Sequence, residues 1–466
     1  SAVFVDGDTV WKLKKAVRMP FLDFTTPEAR RRFLVRELEL NKPAAPGIYQ
    51  DVVAVARQAD GSLALADGEP VDWVLRMARV PADDFLDVVV AQHRLTPELL
   101  DDLGDCVFDY HSRLAPKAGW DSVASMRRIA DGNVRAAQAA GLPEGRVAAW
   151  RAAIGTEIER VAPVLARRAE SGMVRRCHGD LHLGNLCLWQ GKPVAFDALE
   201  FDEDLATIDV AYDLAFLLMD LDLKAGRAAA NRVMNRYVGR CGDAGVAACL
   251  RLFLSQRAFI RAHVFAAMHD DEAAVRHLDA AEDYLRPSKA HVVALGGLQG
   301  TGKTTLARMV APGLGPAPGA LVVRSDETRK RLFGARPEER LGANAYTDEA
   351  NARTNAALIA QVVEAAGHGH SVIADSTFLA AEMRTELEAA VGRAGVAFTG
   401  VWLHAPLAVL AERIQSRRRD ASDATVEVLE RAASRDDGGG WWHKVDASDA
   451  GRAREAIERL VESHAG

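Results

Sequence analysis

Eight consecutive residues, Gly297-Leu298-Gln299-Gly300-Thr301-Gly302-Lys303-Thr304, constrain this chain more than any other feature. They fit G-x-x-x-x-G-K-[ST], and they lie between an apolar run, Val292-Val293-Ala294-Leu295, and a helix-forming run that opens at Thr305. A strand, a glycine-rich turn and a helix in that order form a phosphate-binding loop. The glycines let successive N–H groups turn inward around phosphate oxygens, and the helix N-terminus adds partial positive charge. The lysine then reaches the β and γ phosphates, while Thr304 offers a hydroxyl to Mg²⁺. Gly297, Gly300, Thr301, Gly302, Lys303, Thr304 and Thr305 are therefore the expected nucleotide-binding set.

The pattern after this loop alternates strands with helices, as parallel βαβ units require. Strands are expected at 291–296, 320–325, 371–375, 398–404 and 443–445. Ser325-Asp326-Glu327-Thr328-Arg329 follows the second of these, where a phosphate acceptor would meet the γ-phosphate, so Asp326 is the candidate proton acceptor and Arg329 its cationic neighbour. Asp326 also fits as the N-cap of a helix from Glu327 to Leu332. Asp375 ends the run Val372-Ile373-Ala374 and is the second candidate metal ligand beside Thr304. Arg413, Arg417, Arg418 and Arg419 precede Asp420-Ala421-Ser422-Asp423, a basic cluster suited to closing over a transferring phosphoryl group.

The first 285 residues follow a different plan. A hairpin turning at Asp6-Gly7-Asp8 opens the chain, and Thr26-Pro27 starts a helix that carries Phe33, Glu37 and Leu40. Two further strands, 51–56 and 71–80, are expected around a turn at Asp60-Gly61. Pro81 breaks the pattern, and helical periodicity then runs through 95–168 and again through 205–285. Between them lies an island at 177–201 that contains His178-Gly179-Asp180-Leu181-His182-Leu183-Gly184-Asn185. Two histidines four apart suggest zinc, but the glycines favour a loop, and a zinc protease needs a glutamate after the first histidine on a continuous helix. A loop with Asp180 and Asn185 suits phosphoryl transfer instead: a carboxylate takes the proton of a hydroxyl and an amide oxygen binds Mg²⁺, with Asp197 as the second metal ligand. Lys12 and Lys14 lie two apart and so share one face of a strand. Arg286-Pro287-Ser288-Lys289-Ala290 is a polar linker between the two plans.

Composition limits the partners. A net charge of −7 provides no overall positive field for nucleic acid or an anionic membrane, and a small-molecule acceptor is the expected partner. Five cysteines without a C-x-x-C pair argue against a disulfide framework or a structural zinc site. The longest apolar stretch, 208–223, is interrupted by Asp209, Asp213, Asp220 and Asp222, and a cytoplasmic protein is expected. Nothing in the sequence fixes an oligomeric state.

On the phosphate loop, the S-D-x-x-R segment, the V-I-A-D-S-T strand and the R-R-R-D-A-S-D-A segment, residues 292–466 resemble the small-molecule kinases of the P-loop superfamily, relatives of gluconate, polynucleotide and zeta-toxin kinases. On the 178–185 loop and Asp197, residues 3–285 resemble the aminoglycoside phosphotransferase-like and choline kinase-like enzymes. The resemblance implies an α+β protein-kinase-like N-terminal domain at 1–285, with a small lobe at 1–80 and a helical lobe at 82–285. A linker at 286–290 and an α/β P-loop NTPase domain with a parallel sheet at 291–466 follow. It makes Asp180 the base, Asn185 and Asp197 the metal ligands and His178 a loop-ordering residue. It pairs the phosphate-binding lysine, Lys14 by spacing or Lys12, with Glu37, sets Met77 to Pro81 as the hinge beside adenine, and places Ser1 inside the second strand of the kinase fold. ATP and Mg²⁺ are the implied cofactors. The tandem order resembles bacterial bifunctional proteins with these two halves. The expected function is a bifunctional ATP-dependent kinase acting on small-molecule hydroxyls. The alternative is a nucleotide-driven regulator in which one half binds ATP without turnover; antibiotic inactivation rests on fold resemblance alone.

Overall fold

A computed structural model of the 466-residue chain describes residues 1–19, 22–65, 68–415, 425–434 and 438–465. The chain divides into two compact units, Ser1–Ser122 with Arg167–Lys224 and Val123–Ala166 with Ala225–Gly466. Residues 286–290 lie within the second unit and join its helical part to its sheet. No helix among the described residues is long and apolar enough to cross a membrane.

The first unit is built on an antiparallel sheet whose described strands run in the order Ala2–Asp6, Thr9–Leu13, Glu69–Ala78, Tyr49–Arg57, Leu63–Leu65. The hairpin turns at Gly7-Asp8 between the paired Asp6 and Thr9. The turn at Asp60-Gly61 leads into the short strand Leu63–Leu65, and the strand expected at 71–80 begins at Glu69. Three residues are too few to show an alternation in the sequence, so that strand was not expected. Thr26 caps the helix Pro27–Asn41 by accepting from the Ala29 N–H, and Pro27 occupies its first turn, where a missing N–H costs nothing. Leu34 of this helix packs with Ala45, Ile48, Tyr49, Leu75 and Cys187 into a buried cluster. Below it the island contains two small antiparallel pairs, Val174–Arg176 with Thr207–Asp209 and Leu186–Trp189 with Lys192–Ala195. The helix Val210–Ala225 is almost wholly buried.

The second unit has a parallel sheet in the order Leu321–Arg324, Val372–Asp375, His291–Gly297, Ala397–His404, His443–Asp446. All five expected strands are present within a residue or two of their expected ends. The central strand His291–Gly297 is buried along its whole length, which is why it reads as a continuous apolar run. Val293, Leu295, Leu306, Val322, Ile373, Val401 and Ile457 share one core cluster.

The edge strand of this sheet is covered from an unexpected direction. Asn231 and Asn235, one turn apart on the helix Arg227–Cys241, aim their amides at its backbone. Asn235 Oδ1 accepts from the Val322 N–H at 2.6 Å, and both Nδ2 groups donate to the Ala320 carbonyl, at 3.0 and 3.2 Å. Open N–H and C=O groups on a strand edge recruit other strands, and these amides remove two of them.

Candidate active sites

In the first unit, Lys12 and Lys14 share a face as expected, and both ammonium groups meet Glu37. Lys12 Nζ lies 2.7 Å from Oε1 and Lys14 Nζ 2.8 Å from Oε2, and the glutamate is fully buried. The two lysines then part. Lys12 reaches Asp197 Oδ1 at 2.6 Å, whereas Lys14, only 2% exposed, reaches Glu200 Oε1 at 2.5 Å. The lysine beside the candidate metal ligand is thus Lys12. Burial disfavours its charge, but Glu37 and Asp197 outweigh that and hold its pKa above the ordinary value.

Asp197 has φ +61°, in the left-handed region that a non-glycine residue adopts only when its surroundings hold it there. Two side chains supply the hold. Tyr49 Oη accepts from the Asp197 N–H at 3.0 Å, and Asn41 Oδ1 accepts from the Ala198 N–H at 2.8 Å. Asn41 is itself fixed by donating to the Glu37 carbonyl at the end of its own helix.

The loop at 178–185 is pinned from beneath by the helix Val210–Ala225. Asp213, fully buried, accepts from the N–H groups of His178 at 3.0 Å and Gly179 at 2.9 Å. Asp220, two turns further along, accepts from the Leu183 N–H at 3.0 Å. His178 Nε2 is 2.9 Å from the Phe196 carbonyl, and burial pushes the imidazole below its ordinary pKa, so the neutral ring donates that bond. Asp180 and Asn185 are brought together: Asn185 Nδ2 donates to Asp180 Oδ2 at 3.0 Å and to its carbonyl at 2.9 Å. Asp180 and Asp197 keep 43% and 40% of their side chains exposed, open to a substrate or a cation. The Asn185 amide oxygen and the Asp180 and Asp197 carboxylates are hard donors, and this set fits Mg²⁺.

In the second unit the glycine-rich loop closes as its sequence requires. At Gly297 (φ +134°) a Cβ would stand 2.3 Å from the Leu403 carbonyl oxygen, and at Gly300 (φ +88°) 2.6 Å from that of Leu410. Thr301 Oγ1 donates to the Leu298 carbonyl, and Lys303 Nζ spans the loop by donating to the carbonyls of Gly297 and Leu298 at 2.8 and 3.0 Å. Thr304 Oγ1 donates to Asp375 Oδ2 at 2.7 Å, so the two expected metal ligands are in direct contact. This hydroxyl–carboxylate pair beside a loop of inward N–H groups fits a nucleotide with a divalent cation.

The helix carrying Asp326 begins at Ser325, and its N-cap position is Arg324. Asp326 therefore lies inside the first turn and is not the cap. With Arg329, one turn later, it lines a cavity of about 1140 Å³ together with Gly300, Gly302, Lys303, Thr304, Thr305, Asp375 and Arg413. Arg329 donates to the Ala345 carbonyl at 2.6 Å and stacks over Tyr346, and burial lowers its pKa against the opposing pull of Asp326. Arg413 donates to the carbonyls of Ala447 and Ser448. Arg417 and the rest of the basic cluster through Asp423 lie outside the described residues.

Asn41, Tyr49, Asp213, Asp220, Glu200 and Arg324 escaped the sequence reading. Asp213 and Asp220 were visible as acids two turns apart in an apolar helix, a signal that a buried face is holding backbone N–H groups. Asn41, Tyr49 and Glu200 carry no such pattern, and neither does Arg324, because the partners that place them in the sites (Ala198, Asp197, Lys14, and Thr304 with Asp375) are distant in sequence.

Residues 22–249 match the sequence profile of the phosphotransferase enzyme family, and residues 292–436 match that of an AAA domain. The phosphotransferase-family match thus precedes the AAA-domain match along the chain. Uncharacterized proteins of Mycobacterium tuberculosis and Mycobacterium bovis are each 29% identical to it over 472 residues, which covers 96% of this chain and 91% of theirs. Among solved structures, a gluconokinase from Sinorhizobium meliloti is 20% identical, covering 38% of this chain and 97% of its own, with a TM-score of 0.27. A glucosamine kinase is 16% identical, covering 60% and 71%, with a TM-score of 0.36. The first match includes Glu37, the 178–185 loop and Asp197 but starts after Lys12 and Lys14, and the second includes Lys303, Thr304, Asp326 and Asp375.

Proposed function

We propose that this protein is a bifunctional ATP-dependent kinase that transfers phosphate to hydroxyl groups of small molecules, with Mg²⁺ as the cofactor at both sites. The observation that carries the reading is the single cavity into which the second unit gathers its phosphate loop, the Thr304–Asp375 pair, Asp326 and Arg329. Phosphoryl transfer asks a protein for positioning and charge, and these residues supply both.

In the second unit Asp326 takes the proton of the acceptor hydroxyl while Lys303 and Arg329 offset charge on the transferred group. ATP with Mg²⁺ supplies the phosphoryl group and the charge that draws electrons toward the leaving oxygen. Thr304 and Asp375 would hold the cation. In the first unit Asp180 is the base, Asn185 and Asp197 would hold the metal, and Lys12, aligned by Glu37, faces the nucleotide phosphates. The negative net charge and the size of the cavity favour a small acceptor over a nucleic acid.

The test is ADP release by the whole chain against a panel of hydroxyl-bearing metabolites, repeated with Lys303→Ala and with Asp180→Asn. Acceptors lost with one variant and kept with the other assign a substrate to each site. ATP binding without ADP release for any acceptor would move the assignment to a nucleotide-driven regulator.

A further inference from the structure

Arg324 ends the edge strand Leu321–Arg324 and turns inward, with only 6% of the residue exposed. Its Nη2 donates to Thr304 Oγ1 at 3.0 Å, its Nε lies 3.3 Å from Asp375 Oδ2, and its Nη1 lies 2.8 Å from Glu327 Oε1. The guanidinium is thus bound to the same two oxygens that would hold a divalent cation. A buried carboxylate needs a counter-charge, and Asp375, 5% exposed, has one before any metal arrives. Thr304 Oγ1 has one proton and two lone pairs. The proton goes to Asp375, one lone pair goes to Arg324, and a cation is left with a half-used hydroxyl and a carboxylate that is already neutralised. Glu327 fixes the guanidinium from its other side, so the arginine does not swing away without breaking an ion pair.

We propose that Arg324 is the resident counter-cation of the Thr304–Asp375 pair and keeps free Mg²⁺ out of the phosphate loop until a nucleotide brings it. The proposal rests on the nucleotide-binding reading of this loop. Like charges held at one pair of ligands disfavour each other, and the polyphosphate provides the negative charge that lets both cations stay. Metal uptake at this site is then conditional on nucleotide, a property that Thr304 and Asp375 alone would not confer.

The experiment uses the full chain with Asp197→Ala in every sample, so that metal binding at the first site is silenced, and Lys303→Ala as the blank for the second. Thermal unfolding is followed in EDTA, in Mg²⁺ alone, and in ATP with a Mg²⁺ titration. For the chain with Arg324 intact, Mg²⁺ alone leaves the unfolding midpoint unchanged. Arg324→Met lowers the midpoint in EDTA, Mg²⁺ alone restores it, and the Mg²⁺ needed for half-maximal ATP binding falls about tenfold. Arg324→Lys, which keeps the charge without the fork, stays near the unsubstituted chain in its Mg²⁺ requirement. If Arg324→Met shows no response to Mg²⁺ alone and an unchanged or higher Mg²⁺ requirement, Arg324 is only a packing residue and the proposal is overturned. If no ATP binding depends on Lys303, the nucleotide reading itself fails, and the proposal with it.

Discussion

The phenol oxygen of Tyr49 accepts a hydrogen bond from the backbone N–H of Asp197, 148 residues further along the chain. Tyr49 is 1% exposed, and burial together with the nearby Glu37 and Asp197 carboxylates holds its pKa well above the ordinary value, so the hydroxyl is neutral throughout the accessible range. Tyr49→Phe removes the acceptor and leaves that N–H without its partner beside a residue held at positive φ. A loss of about 1–3 kcal/mol in stability is expected, together with weaker Mg²⁺-dependent nucleotide binding at the first site. Urea unfolding and calorimetric titration of ATP with and without Mg²⁺ check both, and unchanged metal dependence would show that the turn keeps its shape without the phenol.

Asp180→Asn and Asp197→Ala should produce different defects. Removing the base abolishes acceptor phosphorylation by the first site and spares nucleotide binding, because the base meets the hydroxyl. Removing Asp197 takes a carboxylate from the metal set and a partner from Lys12, so metal-dependent nucleotide binding weakens directly. Calorimetry on each variant, in a Lys303→Ala background that silences the second site, separates the two. Identical binding isotherms for both would remove the assigned roles.

Lys303→Ala should lower turnover at the second site by roughly 10²–10⁴, the order expected for one preorganised charge contact. The unfolding midpoint should barely move, since the ammonium donates to the loop carbonyls of Gly297 and Leu298 and is not part of the apolar core. Steady-state ADP release and a thermal melt measure the two quantities on one sample.

Asn235→Ala leaves the Val322 N–H unpaired at the sheet edge and should cost about 1–3 kcal/mol. In the full chain, Asn231→Ala combined with Asn235→Ala opens the edge at both Ala320 and Val322 and should raise self-association near the unfolding midpoint. Light scattering on the full chain with and without the two substitutions decides it: equal scattering would mean that the amides are bystanders.

His370 gives the second unit a pH dependence with a definite sign. Its ring is fully enclosed, with Nε2 3.0 Å from the Gly319 carbonyl, and burial pushes its pKa down to about 4 from an ordinary 6.5. The folded pKa is the lower one, so the unfolded chain takes up the proton first. The contribution is present above pH 6.5 and is lost as pH falls toward 4. His370→Gln keeps a donor and removes the titration, so its loss of stability between pH 7 and pH 4.5 should be smaller by about 2 kcal/mol. Urea unfolding at the two pH values measures this, and parallel losses would place the sensitivity elsewhere, for example at His263, which burial also lowers to about 4.

The two sites were legible in the sequence to different depths. The phosphate loop carries its own geometry, because positions 297 and 300 admit no side chain, and the strands around it are apolar runs bounded by turn residues. The first site was legible as a set of residue types, but its wiring was not. Spacing along a strand put Lys12 and Lys14 on one face and could not say which of them meets Asp197, since that depends on a turn 185 residues away. The buried acids Asp213 and Asp220 read as breaks in an apolar stretch because a sequence does not show which backbone N–H groups a helix will underlie. The helix Arg227–Cys241 matches the phosphotransferase profile and yet packs on the edge of the parallel sheet, a pairing decided by two amides with no periodic signature.

The shared carboxylate of Glu37 has an electroneutrality consequence. Two ammonium groups, Lys12 and Lys14, face three carboxylates, Glu37, Asp197 and Glu200, and the cluster is left one negative charge in surplus. At the second site the cations Arg324, Lys303, Arg329 and Arg413 accompany the carboxylates Asp375, Glu327 and Asp326, and the surplus is one positive charge. A surplus of opposite sign at the two clusters means that, on the proposed reading, a free cation would be drawn to the first by charge alone and to the second only in the company of a polyphosphate.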